Sequence, residues 1–364
     1  MRSLAILSLA LVFGCTCHEA SPDLEATAAS WPAADRLFHA EPRWLGGDAA
    51  FSVDLGGGRS LWLFGDSFVA TSAALKRSES TMVRNSVAIQ QGSDPSSAKM
   101  TFHWREDVGT PGSFFPEEGE AWYWPGHGVR LGSSLLLFLS RVVKDPDPGS
   151  LGFRAAGWEA RRVESPDAPA STWTLARVPL PAVGFDLVGG LALLVEGDWL
   201  YAYGVREPES HDVVLERWPR ARAMAGDLSA PEWWMGKDRG WVAQSVLGNE
   251  RPAVLFRGST ELSVHRDSGL GRYIQVQTEG FGAAELVLRS AARPEGPWSA
   301  AQRVFRPPES DRGGKVIVYA GKAHPQLSGG GLAATYAANS LDLNELVRDA
   351  TLYYPRFVKI GLTR

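Results

Sequence analysis

The feature that most constrains this chain is a turn-and-strand pattern that occurs five times. In each case a glycine-containing turn precedes a short apolar strand, and the strands lie at 60–64, 135–139, 199–203, 273–276 and 332–336. The turn glycines at positions 58, 132, 197, 271 and 331 are 74, 65, 74 and 60 residues apart. Such regular spacing is typical of an architecture built from repeated units.

Further strand-like segments follow the hairpins, at 82–90, 156–164, 213–218, 285–290 and 351–360. Each repeat therefore holds about four strands, which is the content of one propeller blade. Gly (39) and Pro (23) make up 17% of the chain, against a typical ~12%, and helix interiors do not absorb so many. The only helix candidate is 342–349. We predict an all-β fold, a five-bladed β-propeller with four-stranded antiparallel blades, as a single domain over 39–364. A β-sandwich with accidental spacing is the alternative.

The N-terminus has the pattern of an export signal. Arg2, the apolar run 5–13 and a small residue at 14 predict a signal peptide over 1–15, too short for a stable membrane span. Residues 12–15 resemble a bacterial lipobox, which predicts lipidation of Cys15 and a lipoprotein facing the periplasm or cell surface; plain secretion is the alternative. No cysteine follows Cys17, so the folded domain has no disulfide or thiol chemistry. The composition of 16–38 predicts a flexible tether.

Composition and motifs exclude several classes of function. The net charge is -4, from 37 Lys and Arg against 41 Asp and Glu, so no basic excess attracts nucleic acid. Walker A, dinucleotide-binding, zinc-protease and nucleophile-elbow motifs are absent from the sequence. We predict no cofactor and no metal ligands, leaving open a structural cation in the central channel. The expected partners of a monomer are a polysaccharide or oligosaccharide and, through the lipid anchor, a membrane.

The first hairpin predicts two carboxylates that face each other. A three-residue loop centred on Gly57 pairs positions whose numbers sum to 114, so Phe51 opposes Leu63. The same register sets Asp48 opposite Asp66. Two carboxylates so placed destabilise a fold and separate their proton affinities, and acid/base hydrolysis of a glycosidic bond needs such a pair. The alternatives are a bulge that shifts the register and local turns that use each Asp.

Further candidate site residues lie where a closed ring would bring strand ends together. They are Trp44, Arg84, Asn85, Trp124, His127, Glu261, Lys322 and His324. The two Trp rings would stack on sugars, and the other side chains would hold hydroxyl groups or tune the pKa values of the Asp pair. The alternatives are structural roles: buried propeller aromatics, an Arg paired with a structural carboxylate, and a histidine whose bonds are satisfied within a loop.

Six stretches carry a family resemblance: 44–48, 61–68, 82–86, 122–126, 292–298 and 322–325. On these, the chain resembles the five-bladed propeller glycoside hydrolases, the arabinanases and fructosidases. More closely, it resembles secreted bacterial proteins of the domain-of-unknown-function 4185/5005 type, some of which are endo-D-arabinanases. The resemblance implies that Asp48 and Asp66 are the catalytic pair, one an acid and the other a base or nucleophile. His127 stands where the group has an acidic residue, which implies weaker, differently pH-dependent or lost activity.

We therefore expect an extracytoplasmic glycoside hydrolase that acts on a furanoside-containing, arabinan-like polysaccharide. A non-catalytic carbohydrate-binding or scaffold lipoprotein would use the same funnel. A structural surface protein with no ligand is a third possibility.

Overall fold

The computed structural model describes residues 24–147, 151–208, 210–280 and 282–363. Its strands, in chain order, are β1 (Glu25–Ser30), β2 (Trp44–Gly47), β3 (Phe51–Gly56), β4 (Arg59–Phe64), β5 (Ser67–Ala70), β6 (Ser80–Val83), β7 (Ser86–Gln91), β8 (Lys99–His103), β9 (Arg105–Asp107), β10 (Thr110–Gly112), β11 (Trp122–Leu131), β12 (Ser134–Lys144), β13 (Phe153–Val163), β14 (Ala176–Val178), β15 (Val188–Glu196), β16 (Trp199–Arg206), β17 (Asp212–Pro219), β18 (Glu232–Trp234), β19 (Trp241–Ala243), β20 (Phe256–Arg257), β21 (Leu262–Asp267), β22 (Arg272–Glu279), β23 (Glu285–Ala291), β24 (Gln302–Phe305), β25 (Val316–Ala323), β26 (Leu332–Ser340) and β27 (Arg356–Thr363).

Helices are few and short. They are α1 (Pro32–Asp35), α2 (Arg220–Met224), α3 (Gln244–Leu247) and α4 (Leu343–Arg348), with 3-10 turns at Arg36–His39, Arg77–Glu79, Ala170–Thr172 and Pro308–Asp311. Within the described ranges, no helix has the length and apolar character needed to cross a bilayer.

Five antiparallel sheets contain most of the strands. The first is β3-β4-β7-β8, the second β11-β12-β13-β14 and the fourth β21-β22-β23-β24. The third runs from β15 to β19 in order, with β20 paired to β17. The fifth is β25-β26-β27-β1, so the N-terminal strand completes a sheet built from the C-terminal end of the chain. Two small sheets, β2-β5-β6 and β9-β10, lie outside this series.

The first strands of successive sheets lie beside one another. β3 contacts β11, β11 contacts β15, β15 contacts β21, and β21 contacts β25. The segment at the end of β25 returns to β3 through hydrogen bonds, since His324 Nδ1 lies 2.6 Å from Ser52 Oγ and Gln326 Nε2 donates to the same hydroxyl at 2.7 Å. Residues from distant parts of the chain therefore meet along these strands.

The apolar face predicted for the first hairpin is confirmed. Phe51, Val53, Leu61 and Leu63 are all at most 3% exposed and belong to one buried cluster. That cluster continues into the facing strands of the second, third and fourth sheets. Because each strand alternates its side chains between two faces, this shared core determines which residues of β3 and β4 point into the protein. The predicted carboxylate pair lies beyond the ends of these two strands.

Each of the five predicted glycine turns connects the first and second strands of one large sheet. The prediction of five turn-and-strand units is confirmed at this level. The predicted helix is α4, whose N-cap residue Asp342 accepts hydrogen bonds from the backbone N–H groups of Asn344 and Glu345. The helices α1, α2 and α3 were not predicted, because each is only four or five residues long.

Two predictions about chain organisation are wrong in part. The third sheet has six strands instead of four, because the segment 220–258 turns back onto its outer edge three times as β18, β19 and β20. The predicted tether over 16–38 contains β1, which pairs with β27 over its whole length, and α1. An Ala- and Ser-rich composition does not exclude a strand when a partner edge supplies the backbone hydrogen bonds. The predicted signal peptide, Cys15 and residues 16–23 lie outside the described residues.

Candidate functional site

Asp48 and Asp66 lie where the first large sheet meets the small sheet β2-β5-β6. The β3–β4 ladder keeps the predicted register, since the paired numbers sum to 114 over 51–54. On the other side of the two carboxylates, Gly47 pairs with Ser67, and these numbers also sum to 114. The register that sets Asp48 across from Asp66 is therefore present on both sides of them.

The turn of this hairpin differs from the prediction. The loop is shorter than three residues, because Gly56 already pairs with Arg59 after an irregularity that follows Asp54. The glycines at 56, 57 and 58 have φ values of 77°, 64° and 72°, which glycine adopts at no steric cost. The register irregularity lies beside the turn, so the register at the carboxylates is unchanged.

Two tyrosines hold the Asp48 carboxylate. The Tyr319 hydroxyl donates to Oδ2 at 2.7 Å, and the Tyr353 hydroxyl donates to the same oxygen at 3.3 Å. The other oxygen, Oδ1, lies over Gly65, where a Cβ atom would approach it to 2.4 Å. A larger residue at 65 would therefore displace the carboxylate.

Burial, together with the negative charges of Asp66 and Glu261, raises the pKa of Asp48 to about 8. The two tyrosine hydroxyls oppose it, because they donate hydrogen bonds that favour the ionised form. Asp48 therefore carries a proton at neutral pH. A carboxyl group that stays protonated near pH 7 can act as a general acid.

A buried cation holds the backbone that follows Asp48. Ala49 and the residue after it have φ values of 61° and 58°, a left-handed conformation that costs a non-glycine residue ~1–3 kcal/mol. The Lys322 ammonium donates to the Ala49 carbonyl, and also to Glu261 Oε2 at 2.6 Å. Burial lowers the pKa of Lys322, while the charge of Glu261 raises it. Lys322 was predicted to contact a substrate or tune the Asp pair, but at 1% exposure it cannot contact a substrate. Its effect on Asp48 is electrostatic and positional.

Asp66 has a different environment. The Trp124 indole donates to Oδ1 at 2.9 Å, and the Arg84 guanidinium donates to Oδ2 at 3.3 Å. Burial raises the pKa of Asp66, whereas the Trp124 hydrogen bond and the Arg84 charge lower it. Asp66 thus has a cation beside it, while Asp48 has uncharged hydroxyl donors. The Arg84 charge favours the ionised form of Asp66, although burial keeps its pKa above the usual range. Burial and two negative neighbours favour the protonated form of Asp48.

An open cleft of about 570 Å³ lies beside Arg84, the residue that hydrogen-bonds Asp66; neither aspartate of the pair is among the described residues that line it. Arg84, Trp122, Lys144 and Phe153 are among its lining residues. Arg84 lies 4.5 Å above the ring of Trp122, and Phe153 packs edge-on against Trp124 with ring centroids 4.6 Å apart. The volume and the aromatic lining suit a small polar ligand with an apolar face, such as a sugar ring.

Trp44 is not at the rim of this cleft, so its prediction as a stacking residue is wrong. It is 1% exposed, and its ring packs against Phe64 and Phe102. Its indole N–H donates to Ser86 Oγ at 3.0 Å. Trp44 is a core residue whose polar atom is satisfied internally, which is how buried Trp residues are accommodated.

Asn85 is also structural, contrary to its prediction as a binding residue. Its Nδ2 donates to the carbonyls of Phe115 and Tyr123 at 3.0 and 2.9 Å, and its Oδ1 accepts the Phe115 N–H at 2.6 Å. The side chain is fully buried. It anchors the segment that leads from the first sheet to the second.

His127 makes no contact with either aspartate, so its predicted role in binding or pKa tuning is not supported by the geometry. Its Nδ1 accepts the N–H of Leu193 at 2.9 Å, which leaves Nε2 to donate to the carbonyl of Ser52 at 3.0 Å. Burial, with a smaller contribution from the charge of Lys322, lowers the pKa of His127 to about 4, and the hydrogen bond to Ser52 opposes this shift. His127 is a neutral link between β11 and the strands on either side of it.

His324 is a second internal histidine, and its prediction as a site residue is likewise wrong. Nδ1 is hydrogen-bonded to Ser52 Oγ at 2.6 Å and Nε2 to Thr335 Oγ1 at 2.8 Å. It is 1% exposed and packs against Trp62. Burial, with the charge of Lys322, lowers its pKa well below the usual range.

The structure brings Asp48, Asp66, Arg84, Trp124, Glu261 and Lys322 together. It adds Tyr319, Tyr353 and Phe153, which the sequence did not single out, and Trp122, which belongs to the stretch 122–126. Tyr319 follows three apolar residues of β25, and Tyr353 has a φ of 66°. A tyrosine in an apolar strand signals a buried hydroxyl that needs a partner, but the sequence does not say that the partner is Asp48.

The fold is similar to that of a solved structure, and two others match it less closely. A candidate hydrolase from Bacteroides ovatus ATCC 8483 matches with a TM-score of 0.72 and 17% identity over 92% of this chain and 90% of that chain. A GH43_1 enzyme from Xanthomonas citri matches with a TM-score of 0.49 and 14% identity, over 91% and 93% of the two chains. An endo-arabinase from Bacteroides thetaiotaomicron VPI-5482 matches with a TM-score of 0.46 and 13% identity, over 86% and 94%.

No curated protein matches the sequence. A family model does, over residues 33–361, and its description is "Domain of unknown function (DUF5005)". This match spans almost all of the residues from α1 to β27. The chain therefore belongs to the DUF5005 family.

Proposed function

We propose that this protein is a glycoside hydrolase in which the five large sheets are the blades of a five-bladed β-propeller. The adjacency of β3, β11, β15, β21 and β25 supports a ring, and the hydrogen bonds between Ser52 and the end of β25 support its closure. The Bacteroides ovatus neighbour, described as a candidate hydrolase, supports the reaction class.

The contrast between the two aspartates carries the proposal. Asp48, with a pKa of about 8, donates its proton to the glycosidic oxygen as the bond to the anomeric carbon breaks. Asp66, beside Arg84 and Trp124, acts as the carboxylate that activates water or attacks the anomeric carbon. Two carboxyl groups with separated proton affinities are what either mechanism requires.

The proposed substrate is a furanoside-containing polysaccharide of the arabinan type. The choice of furanoside follows the family resemblance of the segments around Asp48 and Asp66. The cleft beside Arg84 supports a sugar ring as the ligand, because Trp122 and Phe153 line it. Arg84 would keep its contact with Asp66 while sugar hydroxyls occupy the rest of the cleft.

The test is the release of reducing ends from arabinans, arabinogalactans and fructans by residues 18–364. We expect turnover on at least one polymer and its loss, by 10³-fold or more (about 4 kcal/mol), in both Asp48→Asn and Asp66→Asn. Asp54→Asn is the matched control, because Asp54 lies on the same hairpin but is exposed. Binding without turnover in the wild-type protein would instead establish the carbohydrate-binding alternative.

We further propose that the protein is exported and anchored through Cys15. The sequence at 12–15 supports this, and a lipid-modified N-terminus is detectable by mass spectrometry of the membrane fraction. Cys15→Ser should release the protein into the soluble fraction. If Cys15→Ser leaves it in the membrane fraction, anchoring through this cysteine is wrong.

A further inference from the structure

We propose that Tyr319 and Tyr353 are positioning residues that confine the transferable proton of Asp48 to Oδ1. This inference rests on the proposed function, in which Asp48 is the acid. It specifies which oxygen of Asp48 carries the proton, because a carboxyl group with both oxygens free could carry it on either one.

The direction of the Tyr319 hydrogen bond follows from its neighbours. The Ser340 N–H donates to Asn339 Oδ1 at 2.7 Å, which identifies the amide oxygen and leaves Nδ2 to face Tyr319. Nδ2 donates to the Tyr319 hydroxyl oxygen at 3.1 Å. The hydroxyl oxygen therefore acts as an acceptor toward Asn339, and its own hydrogen points to Asp48 Oδ2 at 2.7 Å.

Tyr353 supplies a second hydroxyl to the same oxygen at 3.3 Å. Its backbone is fixed, since its N–H donates to the Ala338 carbonyl and its carbonyl accepts the N–H of Gly47, both at 2.8 Å. Burial, together with the nearby Asp48 charge, raises the pKa values of both tyrosines well above 10. Both hydroxyls therefore remain protonated donors in the neutral pH range.

The two donors make Oδ2 an acceptor, so the proton of the neutral carboxyl group resides on Oδ1. Among the residues that the structure describes, none donates a hydrogen bond to Oδ1. This oxygen lies against Gly65, the residue before Asp66, where a Cβ atom would come within 2.4 Å of it. The proton is thus held on the oxygen that faces this glycine and not on the one that accepts from the tyrosines.

Other charges act on Asp48 as well. Asp66 and Glu261 disfavour its ionised form, while Lys322 interacts favourably with it. None of these charges donates a hydrogen bond to Oδ2 among the described residues. The two tyrosines are therefore the groups that distinguish one oxygen of Asp48 from the other.

The experiment is a direct titration of Asp48 in the full chain by NMR of ¹³C-labelled aspartate carboxyl groups, with Asp48→Asn used to assign the signal. We expect Tyr319→Phe to raise the pKa of Asp48 by roughly one pH unit, because a donor to the ionised form is lost. Tyr353→Phe should have a smaller effect, since its hydrogen bond is longer. Asn339→Leu should also raise the pKa, because the Tyr319 hydroxyl is then free to turn away.

Tyr336→Phe is the matched control. Tyr336 is also a buried tyrosine that donates to a carboxylate, in this case to Glu309 at 2.8 Å. It should lower stability to a comparable degree and leave the titration of Asp48 unchanged. If Tyr319→Phe and Tyr353→Phe both fold and Asp48 titrates as in the wild-type protein, the positioning role is wrong.

The titration needs no substrate, so its failure is distinct from failure of the proposed function. A shifted titration without turnover on any polymer would support the placement of the proton and reject the hydrolase. Turnover with an unshifted titration would reject the positioning role alone. Where turnover occurs, Tyr319→Phe should lower kcat with little change in KM and move the alkaline limb of the kcat profile to higher pH.

Discussion

The indole N–H of Trp124 donates to Oδ1 of Asp66 at 2.9 Å. This bond lowers the pKa of a carboxyl group whose burial raises it. We expect Trp124→Phe, which keeps an aromatic ring but removes the donor, to raise the pKa of Asp66. The acidic limb of the kcat/KM profile should then move to higher pH, with about a tenfold loss at the acidic end and recovery toward pH 7.

The control for this prediction is Trp122→Phe. The Trp122 indole nitrogen has no hydrogen-bond partner among the described residues, so its removal should leave the acidic limb in place. An equal shift in both variants would mean that ring size, and not the hydrogen bond to Asp66, sets the profile.

Asp48 should lower the stability of the folded protein as the pH rises from ~4 to about 8. Its folded-state pKa of about 8 exceeds the ~3.9 expected for an unfolded chain. Between these values the folded state binds more protons than the unfolded state, so this group makes the free energy of unfolding fall as pH rises. The Tm of Asp48→Asn minus that of the wild-type protein should therefore increase by at least ~2 °C between pH 4 and pH 9.

Thermal unfolding of the two proteins across this range measures the effect. Asp54→Asn serves as the control, because Asp54 is exposed on the same hairpin. The Tm difference between this variant and the wild-type protein should not change with pH. A constant difference between Asp48→Asn and the wild-type protein would contradict the alkaline titration of Asp48.

Lys322 should be more important for stability than any surface lysine. Lys322→Met leaves Glu261 and the Ala49 carbonyl without their ammonium partner. Removal of one member of a buried ion pair costs about 3–5 kcal/mol, and urea denaturation measures that loss. Lys315→Met is the control, since Lys315 pairs with Asp342 at 3.4 Å on the surface, and it should cost at most ~1 kcal/mol. Equal losses would show that Lys322 does not support the turn after Asp48.

The hairpin that carries the aspartates was predictable because its information is local. Alternation of apolar residues along β3 and β4, together with the glycine turn, determines a register within 20 residues of chain. That register places Asp48 opposite Asp66 without any knowledge of the remaining sheets. The bulge beside Gly56 changes the turn and not the strand ends.

The partners of the aspartates were not predictable, because they depend on how distant strands meet. Tyr319 and Tyr353 lie 271 and 305 positions from Asp48 in the sequence. Residue type was also a poor guide to which polar groups face solvent. Asn85 and His324 carry polar atoms suited to a ligand, yet each uses all of them on neighbouring backbone or hydroxyl groups, and only the assembled sheets reveal those partners.

His127 should make the fold sensitive to acid. Its Nε2–H tautomer joins the Ser52 carbonyl to the Leu193 N–H, and protonation of Nδ1 would break the second of these bonds. Burial and the Lys322 charge lower its pKa to about 4, whereas an unfolded histidine titrates near ~6.5. Between these values the unfolded state binds more protons, so the stability contributed by neutral His127 is present above pH 6.5 and decreases as the pH falls toward 4.

His127→Gln removes this titration and retains an acceptor and a donor. At pH 7 the variant should be less stable than the wild-type protein, because the geometry of the two hydrogen bonds is poorer. At pH 5 the difference between their free energies of unfolding should be smaller by about 2 kcal/mol, because a pKa difference acting over about 1.5 pH units corresponds to that free energy. Urea denaturation at the two pH values measures this change. The same difference at both would show that His127 is protonated equally in the folded and unfolded states, and that its bonds to Ser52 and Leu193 do not hold it neutral.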